Sequence, residues 1–494
     1  MQSLTAATVA ALPKSVPTPG YDRAAVATGI VHLSVGGFHR AHEAMYLDQL
    51  MTQGKASQWG ICGVGILPSG RRMKQVLQAQ DGLYTLVQKN PDGSLTARVI
   101  GSIIEYLFAP DDPAAVIEKM ADKRTRIVSL TVTEGGYNVD HVTGLFDRSN
   151  SDLQRDLRRA AAPKTVFGLV TEALARRRER CLPPFTVMSC DNVQGNGSVA
   201  RAAFTAFAEM RDPELCEWIR EHVAFPNSMV DRITPATTED DRVQLRANFG
   251  IDDQWPVVCE PFTQWVLEDE FSDGRPPLQD VGVQFVADVE PYELMKLRLL
   301  NAGHQALSYF GYLAGYRYMH EVSQDPVFRT FLLGYLLEEA IPSLPPVAGI
   351  DLQAYARTLI ERFASAAMRD TLVRTCADTS DRIPKFLLPV IRHQLRTGAK
   401  ARRAIGVVAS WARYAEGIDE DGQPIDVVDR LAGPLMAAAR RQYEEPLAFV
   451  FNREIFGDLV DDPGFTALFE SALTSLHRDG ARATVRMLSA DSPD

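Results

Sequence analysis

The sequence predicts two units: an α/β domain built on a mostly parallel sheet over residues 1–285, and a mostly α-helical domain over residues 286–494. Three observations predict this. Between residues 29 and 197, short apolar runs alternate with helix-length amphipathic stretches, the rhythm of parallel strands joined by crossover helices. The first apolar run ends in Gly36-Gly37 and opens directly into a helical pattern, the context in which doubly wound sheets hold a dinucleotide. From about residue 285 the pattern becomes helical and stays so, with short polar or Pro/Gly connections.

The totals agree with a two-domain globular protein. A length of 494 residues exceeds one ordinary core, and 46% hydrophobic residues is a globular value. The net charge of −11, from 52 basic and 63 acidic residues, argues against non-specific nucleic-acid binding. The six cysteines (62, 181, 190, 216, 259 and 376) contain no C-x2-C pair, which fits free thiols in a reducing compartment better than a disulfide framework or a structural zinc. No apolar run reaches membrane-spanning length, and the first 22 residues lack the pattern of a secretory signal. A cytoplasmic protein without nucleic-acid or membrane partners is expected.

In chain order, residues 1–28 read as an arm. GIVHLSV (29–35) is a buried strand, followed by one helix over GGFHRAHEAMYLDQLMTQ. Gly36 and Gly37 allow close approach of backbone to a pyrophosphate, and the helix N-terminus offers N–H groups to the anion. His39 and His42 stand at i and i+3, but no third ligand has suitable spacing, so no metal is expected. SQWGICGVGIL (57–67) is the next strand, and its end is where an acid grips the adenosine ribose in NAD enzymes. Leu67-Pro68-Ser69-Gly70-Arg71-Arg72 stands there instead, with no carboxylate and two guanidiniums, which predicts that NADP is tolerated beside NAD. Residues 81–103 read as a hairpin around Asn90-Pro91-Asp92-Gly93. A helix at DPAAVIEKMAD, a strand at TRIVSLTVTEGGY, a helix over 164–180 and a strand entering FTVMSCDNVQGNG complete the α/β part.

PYELMKLRLLNAGHQALSYFGY (291–312) reads as one helix with Pro291 in its first turn. At about 100° per residue, Asn301 lies roughly 140° and His304 roughly 80° from Lys296, so a base, an amide and an imidazole share one side. By spacing alone the favoured reading is a buried helix with a satisfied polar patch.

K-x4-N-x2-H at Lys296, Asn301 and His304 resembles the signature of the polyol-specific long-chain dehydrogenases, and further stretches match from near residue 29 to near residue 460. The resemblance implies a Rossmann-like NAD(P)-binding domain, no zinc, and a chain that is commonly a monomer. It assigns Gly36, Gly37, Phe38, His39 and Arg40 to the cofactor motif, with Ser34 in place of the family's first glycine. Ser69, Arg71 and Arg72 replace an acidic pair. TVTEGGY (131–137) and EPFTQWVLEDEF (260–271) resemble segments that line the nicotinamide and the substrate. Asn192 is carried over as a contact of the reacting oxygen, and Asp231 as an acid near the centre, or else a partner of Arg232. RTCADTSDRIPKF (374–386) matches the substrate-binding segment, with Arg374 kept and Arg382 where relatives have lysine.

The activity implied is oxidation of a polyol at a secondary carbon, mannitol to fructose or arabinitol to xylulose. Lys296 is the expected base, with Asn192 and Asn301 donating to the developing alkoxide, His304 positioning a hydroxyl and Glu293 relaying a proton. A hexuronate reductase of the same family, holding a carboxylate on Arg374 and Arg382, is the close alternative. A catalytically silent dinucleotide sensor is the alternative from another class.

Overall fold

The structure is a computed structural model that describes residues 2–139, 146–158 and 162–490. It divides into two compact units. The first comprises the residues up to Asn90 with Ser94–Glu290, and the second Pro91–Gly93 with the residues from Pro291 onward.

The first unit is organised on five parallel strands: β1 (Thr28–Leu33), β2 (Gly60–Gly65), β3 (Ile103–Phe108), β4 (Ile127–Leu130) and β5 (Thr186–Ser189). Their spatial order is β3-β2-β1-β4-β5, with every neighbouring pair parallel. This is the doubly wound arrangement of a Rossmann domain. The order reverses at β1, so a crevice opens at the carboxyl ends of β1 and β4. Every residue of β1, β2, β4 and β5 is buried, which is why these strands read as continuous apolar runs. Val31 and Leu33 join the core on one face of the sheet while Ile30 joins the core on the other, as alternation along a strand requires.

Two local expectations are corrected. The hairpin of residues 81–103 is confined to Tyr84–Lys89 and Leu95–Ile100, closed by Asn90 N–H donating to Ser94 O at 2.9 Å, and the chain then enters β3. β3 is an edge strand, buried only at its ends, and its IIEYLF sequence gives no clean alternation. The single helix expected after Gly36 is two, Gly37–Ala41 and Glu43–Thr52, broken at His42 (φ −125°, ψ −96°). The remaining strands form smaller sheets, among them Val257–Cys259 beside the hairpin and Ser228–Asp231 antiparallel to Gln264–Glu268.

The second unit is helical. Its centre is the helix Ala302–Leu313, packed against Arg402–Tyr414 and Leu372–Cys376. Tyr309, Phe310, Trp411 and Tyr414 are buried there. Residues 291–312 are not one regular helix. An α-helical turn, Glu290–Met295, passes into a π-helical turn, Lys296–Asn301, before Ala302–Leu313 resumes the α form. Among the described residues no helix is long and apolar enough to cross a membrane.

Candidate active site

The turn that the sequence assigns to a dinucleotide lies between β1 and the helix Gly37–Ala41. Ser34, in the position of the motif's first glycine, adopts φ +73°, the left-handed conformation that glycine enters most easily. Its N–H donates to Val64 O at 2.8 Å, and its carbonyl accepts from Thr131 Oγ1 at 2.8 Å. A Cβ built on Gly36 would meet only Ser34 O, at 4.0 Å, so backbone there is open to a ligand.

Beneath the turn runs a buried polar network. His32 Nε2 meets Thr131 Oγ1 at 2.9 Å and His32 Nδ1 meets Ser129 Oγ at 2.7 Å. Ser129 Oγ donates to Glu43 Oε2 at 2.9 Å, and His39 Nδ1 reaches the same oxygen at 3.1 Å. Thr131 donates its hydroxyl proton to the Ser34 carbonyl and Ser129 donates its own to Glu43. The rings of His32 and His39 stack at 3.4 Å. Burial alone would raise the Glu43 carboxyl, but hydrogen bonds from His32 and His39 outweigh it and hold the group well below the usual range. Burial pushes His39 down to about 3 and His42 down to about 4, so both rings are neutral.

This network corrects the expectation that His39 finds no further donors near it. His32 and Glu43 bring donor atoms within 4.8 Å of it, from positions that spacing did not suggest. His32, His39 Nδ1 and Glu43 Oε2 are engaged with one another and with Ser129 and Thr131, while His39 Nε2 and Glu43 Oε1 are buried without a hydrogen-bond partner among the described residues. His39 and Arg40 are both buried under the turn. Arg40 Nε donates to Gly36 O at 3.3 Å, its Nη1 to Trp255 O, and its carbonyl accepts from Tyr84 at 2.6 Å. Phe38 stacks on His42 at 4.8 Å.

At the end of β2, Pro68–Gly70 forms a 3-10 turn with Ser69 exposed, followed by the helix Arg71–Ala79. Arg71 pairs with Asp111 at 2.9 Å, and Arg72 lies over the Trp255 ring at 5.0 Å.

At the ends of β4 and β5, Asp191 is the organising residue. It accepts from Val132 N–H (3.1 Å), Thr133 N–H (2.7 Å) and Tyr137 Oη (2.7 Å), fixing the turn after β4 in which Thr133 has φ +66°. Burial raises its carboxyl above the usual range, and these three donors only partly offset it. Asn192 follows it on the exposed loop, and Asp231 ends its strand buried opposite Gln264. The Arg232 guanidinium donates to the carbonyls of Glu260 (3.0 Å) and Ala41 (2.6 Å).

In the second unit, the π turn changes the geometry expected for the signature residues. An i→i+5 repeat puts Asn301 one turn above Lys296, closer in azimuth than the regular helix predicted. Lys296 and Glu293 are buried, at 9% and 7% exposure. Asn301 Nδ2 is buried without a hydrogen-bond partner among the described residues, a donor left for a ligand. The His304 ring packs on Phe363 at 4.1 Å, and its Nε2 lies 3.9 Å from Asp370 Oδ2.

Asp370 is a residue that sequence reasoning missed. Its two oxygens take the Arg374 fork, Nε at 2.6 Å and Nη2 at 2.5 Å, so one carboxylate joins two residues of the predicted site. Burial would raise this carboxyl, and the Arg374 guanidinium outweighs it and holds it low. The i, i+4 spacing of Asp370 and Arg374 was the available signal. Arg382 Nη1 donates to Arg374 O at 3.3 Å, and its Nη2 lies 3.6 Å from Asp378.

Comparison with known proteins identifies the family. Residues 28–280 match the family model described as the mannitol dehydrogenase Rossmann domain, and residues 288–477 the mannitol dehydrogenase C-terminal domain. The chain is 48% identical over 476 residues to mannitol 2-dehydrogenase of Phaeosphaeria nodorum, covering 96% of this chain and 83% of that one. It is 48% identical over 477 residues to the Neosartorya fischeri enzyme of the same name, covering 95% of each. Among solved structures, Pseudomonas fluorescens mannitol 2-dehydrogenase, in a ternary complex with NAD and D-mannitol, superposes with a TM-score of 0.88 at 45% identity and 99% coverage of both chains. A substrate-free D-sorbitol dehydrogenase gives 0.90 at 39% identity, covering 98% of this chain and all of that one.

Proposed function

Because the chain belongs to the mannitol dehydrogenase family, we propose that it interconverts a sugar alcohol and its 2-ketose, mannitol and fructose or arabinitol and xylulose. The observation that carries this reading is the π turn, in which a buried lysine and an amide donor without a protein partner stand one turn apart. The open backbone at Gly36 and the left-handed Ser34 fit a dinucleotide pyrophosphate. The nicotinamide dinucleotide, when bound, supplies the hydride carrier. NAD is the expected form, and NADP is tolerated beside it.

Lys296 removes the proton from the carbinol oxygen in oxidation and returns it in reduction. Asn301 donates to that oxygen as negative charge develops, and His304 holds a neighbouring hydroxyl. Glu293 passes the proton between Lys296 and water. Arg374 and Arg382 bind hydroxyls remote from the reacting carbon. Zinc has no role in this scheme, because the lysine and the amide act on the oxygen directly. Arg374 already spends its fork on Asp370, which favours a neutral polyol over a hexuronate carboxylate.

The test is absorbance at the reduced-nicotinamide band with fructose and either NADH or NADPH, then with xylulose and fructuronate. Turnover with a ketose supports the reading, and turnover with fructuronate alone replaces it with the hexuronate alternative. Lys296→Ala is expected to abolish turnover while binary cofactor binding persists; retained activity refutes the base.

A further inference from the structure

No carboxylate stands between Ile66 and Arg72, where a Rossmann domain selective for NAD ordinarily places one. By sequence this stretch is open to a 2′-phosphate. The fold brings a carboxylate there from elsewhere. β3 lies next to β2 in the sheet, and Ala109 N–H donates to Gly65 O at 2.9 Å, which ties the two carboxyl ends together. The turn after β3 thereby delivers Asp111 to the end of β2. Its Oδ1 lies 2.9 Å from Arg71 Nη2, and its Oδ2 lies 2.8 Å from Lys74 Nζ. Both cations rest on the Phe108 ring, Arg71 at 5.0 Å and Lys74 at 5.7 Å, so packing as well as charge holds the cluster. Hydrogen bonds from Lys74 and Arg71 keep the Asp111 carboxyl below the usual range, and it is ionised at neutral pH.

We propose that Asp111 is a specificity-determining residue for the dinucleotide, an internal counter-ion that occupies the cations a 2′-phosphate would use. The proposal rests on the reading of the first unit as a nicotinamide-dinucleotide domain. A ribose 2′-hydroxyl is neutral and tolerates the carboxylate. A 2′-phosphate is repelled by it, and gains Arg71 and Lys74 only by separating them from it. NADP is then discriminated against by a residue 40 positions from Arg71 in sequence, and the two arginines do not by themselves confer NADP preference.

The test is fluorescence titration of the full chain with NADH and NADPH at low, fixed ionic strength, since salt screens an exposed cluster. Wild type, Asp111→Asn, Arg71→Ala and the double variant are compared. Removing one charge a few ångströms from a dianion in water changes affinity by about tenfold. Asp111→Asn is expected to tighten NADPH about tenfold, to leave NADH within about twofold, and to lose this gain when Arg71 is alanine. Unchanged NADPH affinity in Asp111→Asn, or an equal change for NADH, overturns the proposal while leaving the dinucleotide reading intact. Failure of wild type to bind either nucleotide overturns both.

Discussion

Lowering the pH from about 7.5 to about 5 should destabilise the first unit through two of its buried imidazoles. His39 and His42 are buried with folded values of about 3 and about 4, against an ordinary 6.5. Between those limits the unfolded chain binds a proton at each ring and the native state does not. Stability therefore rises with pH through this window and falls as pH drops below 6.5. At about pH 5 each ring lies roughly 1.5 units below its unfolded value, which costs about 2 kcal/mol at 1.36 kcal/mol per unit. The two together cost about 4 kcal/mol, or roughly 10 °C in Tm for a unit of this size. Glu43, held low, adds its own loss only at still lower pH, below its unfolded value of 4.5. The assay is thermal unfolding at both pH values for wild type and His42→Gln. The glutamine amide can replace the donor that His42 Nε2 gives Gln264 O at 3.0 Å, without a titrating ring. The variant should lose about half of the pH-dependent change in Tm. An unchanged pH dependence in His42→Gln, or a wild-type shift of only a degree or two, would refute the reasoning.

Other outcomes follow from the same geometry. Ser34→Gly relieves a left-handed non-glycine residue and should raise Tm by roughly 2–4 °C, about 1 kcal/mol, because the bonds at Ser34 are made by its backbone; a fall in Tm would show that the hydroxyl contributes more than the backbone strain costs. Asn301→Ala should lower kcat by about 10²–10³ with little effect on NADH binding; a change confined to KM would make Asn301 a ground-state contact only. Asp370→Asn weakens the fork on Arg374 and should raise the polyol KM about tenfold with kcat nearly unchanged, and Asp370→Glu should partly restore it; equal KM values in steady-state kinetics would remove Asp370 from the site. If Lys296 is the base, polyol oxidation should accelerate and ketose reduction slow as pH rises, and flat profiles in both directions would exclude it.

Much of the fold was legible because its signals are local. Strands buried on both faces read as apolar runs, and Gly36-Gly37 marked the turn from the first strand into a helix. β3 escaped because an edge strand is half solvated and carries Glu105 and Tyr106 among its apolar residues. The helix after Gly36 was read as unbroken because nothing in its period announces the backbone break at His42. The signature residues of the second unit were legible by type and spacing, but their mutual geometry was not. A regular helix was assumed, and the π repeat depends on packing around the helix, which local propensity does not encode.

The sequence by itself determined the alternation of elements, the two-unit division, and the residue types available for proton transfer and hydrogen bonding. These depend on period and composition along the chain. The tertiary structure decided what those residues face. His39 and Arg40 lie beneath the turn they were expected to present to a cofactor. Glu43 gathers His32, His39 and Ser129 from three elements, and Asp370 joins His304 to Arg374. Asp111 supplies at the end of β2 the carboxylate that the linear sequence lacks there. Each is a meeting of groups distant in sequence or facing inward, and parallel pairing and burial, rather than spacing, bring such groups within hydrogen-bond distance.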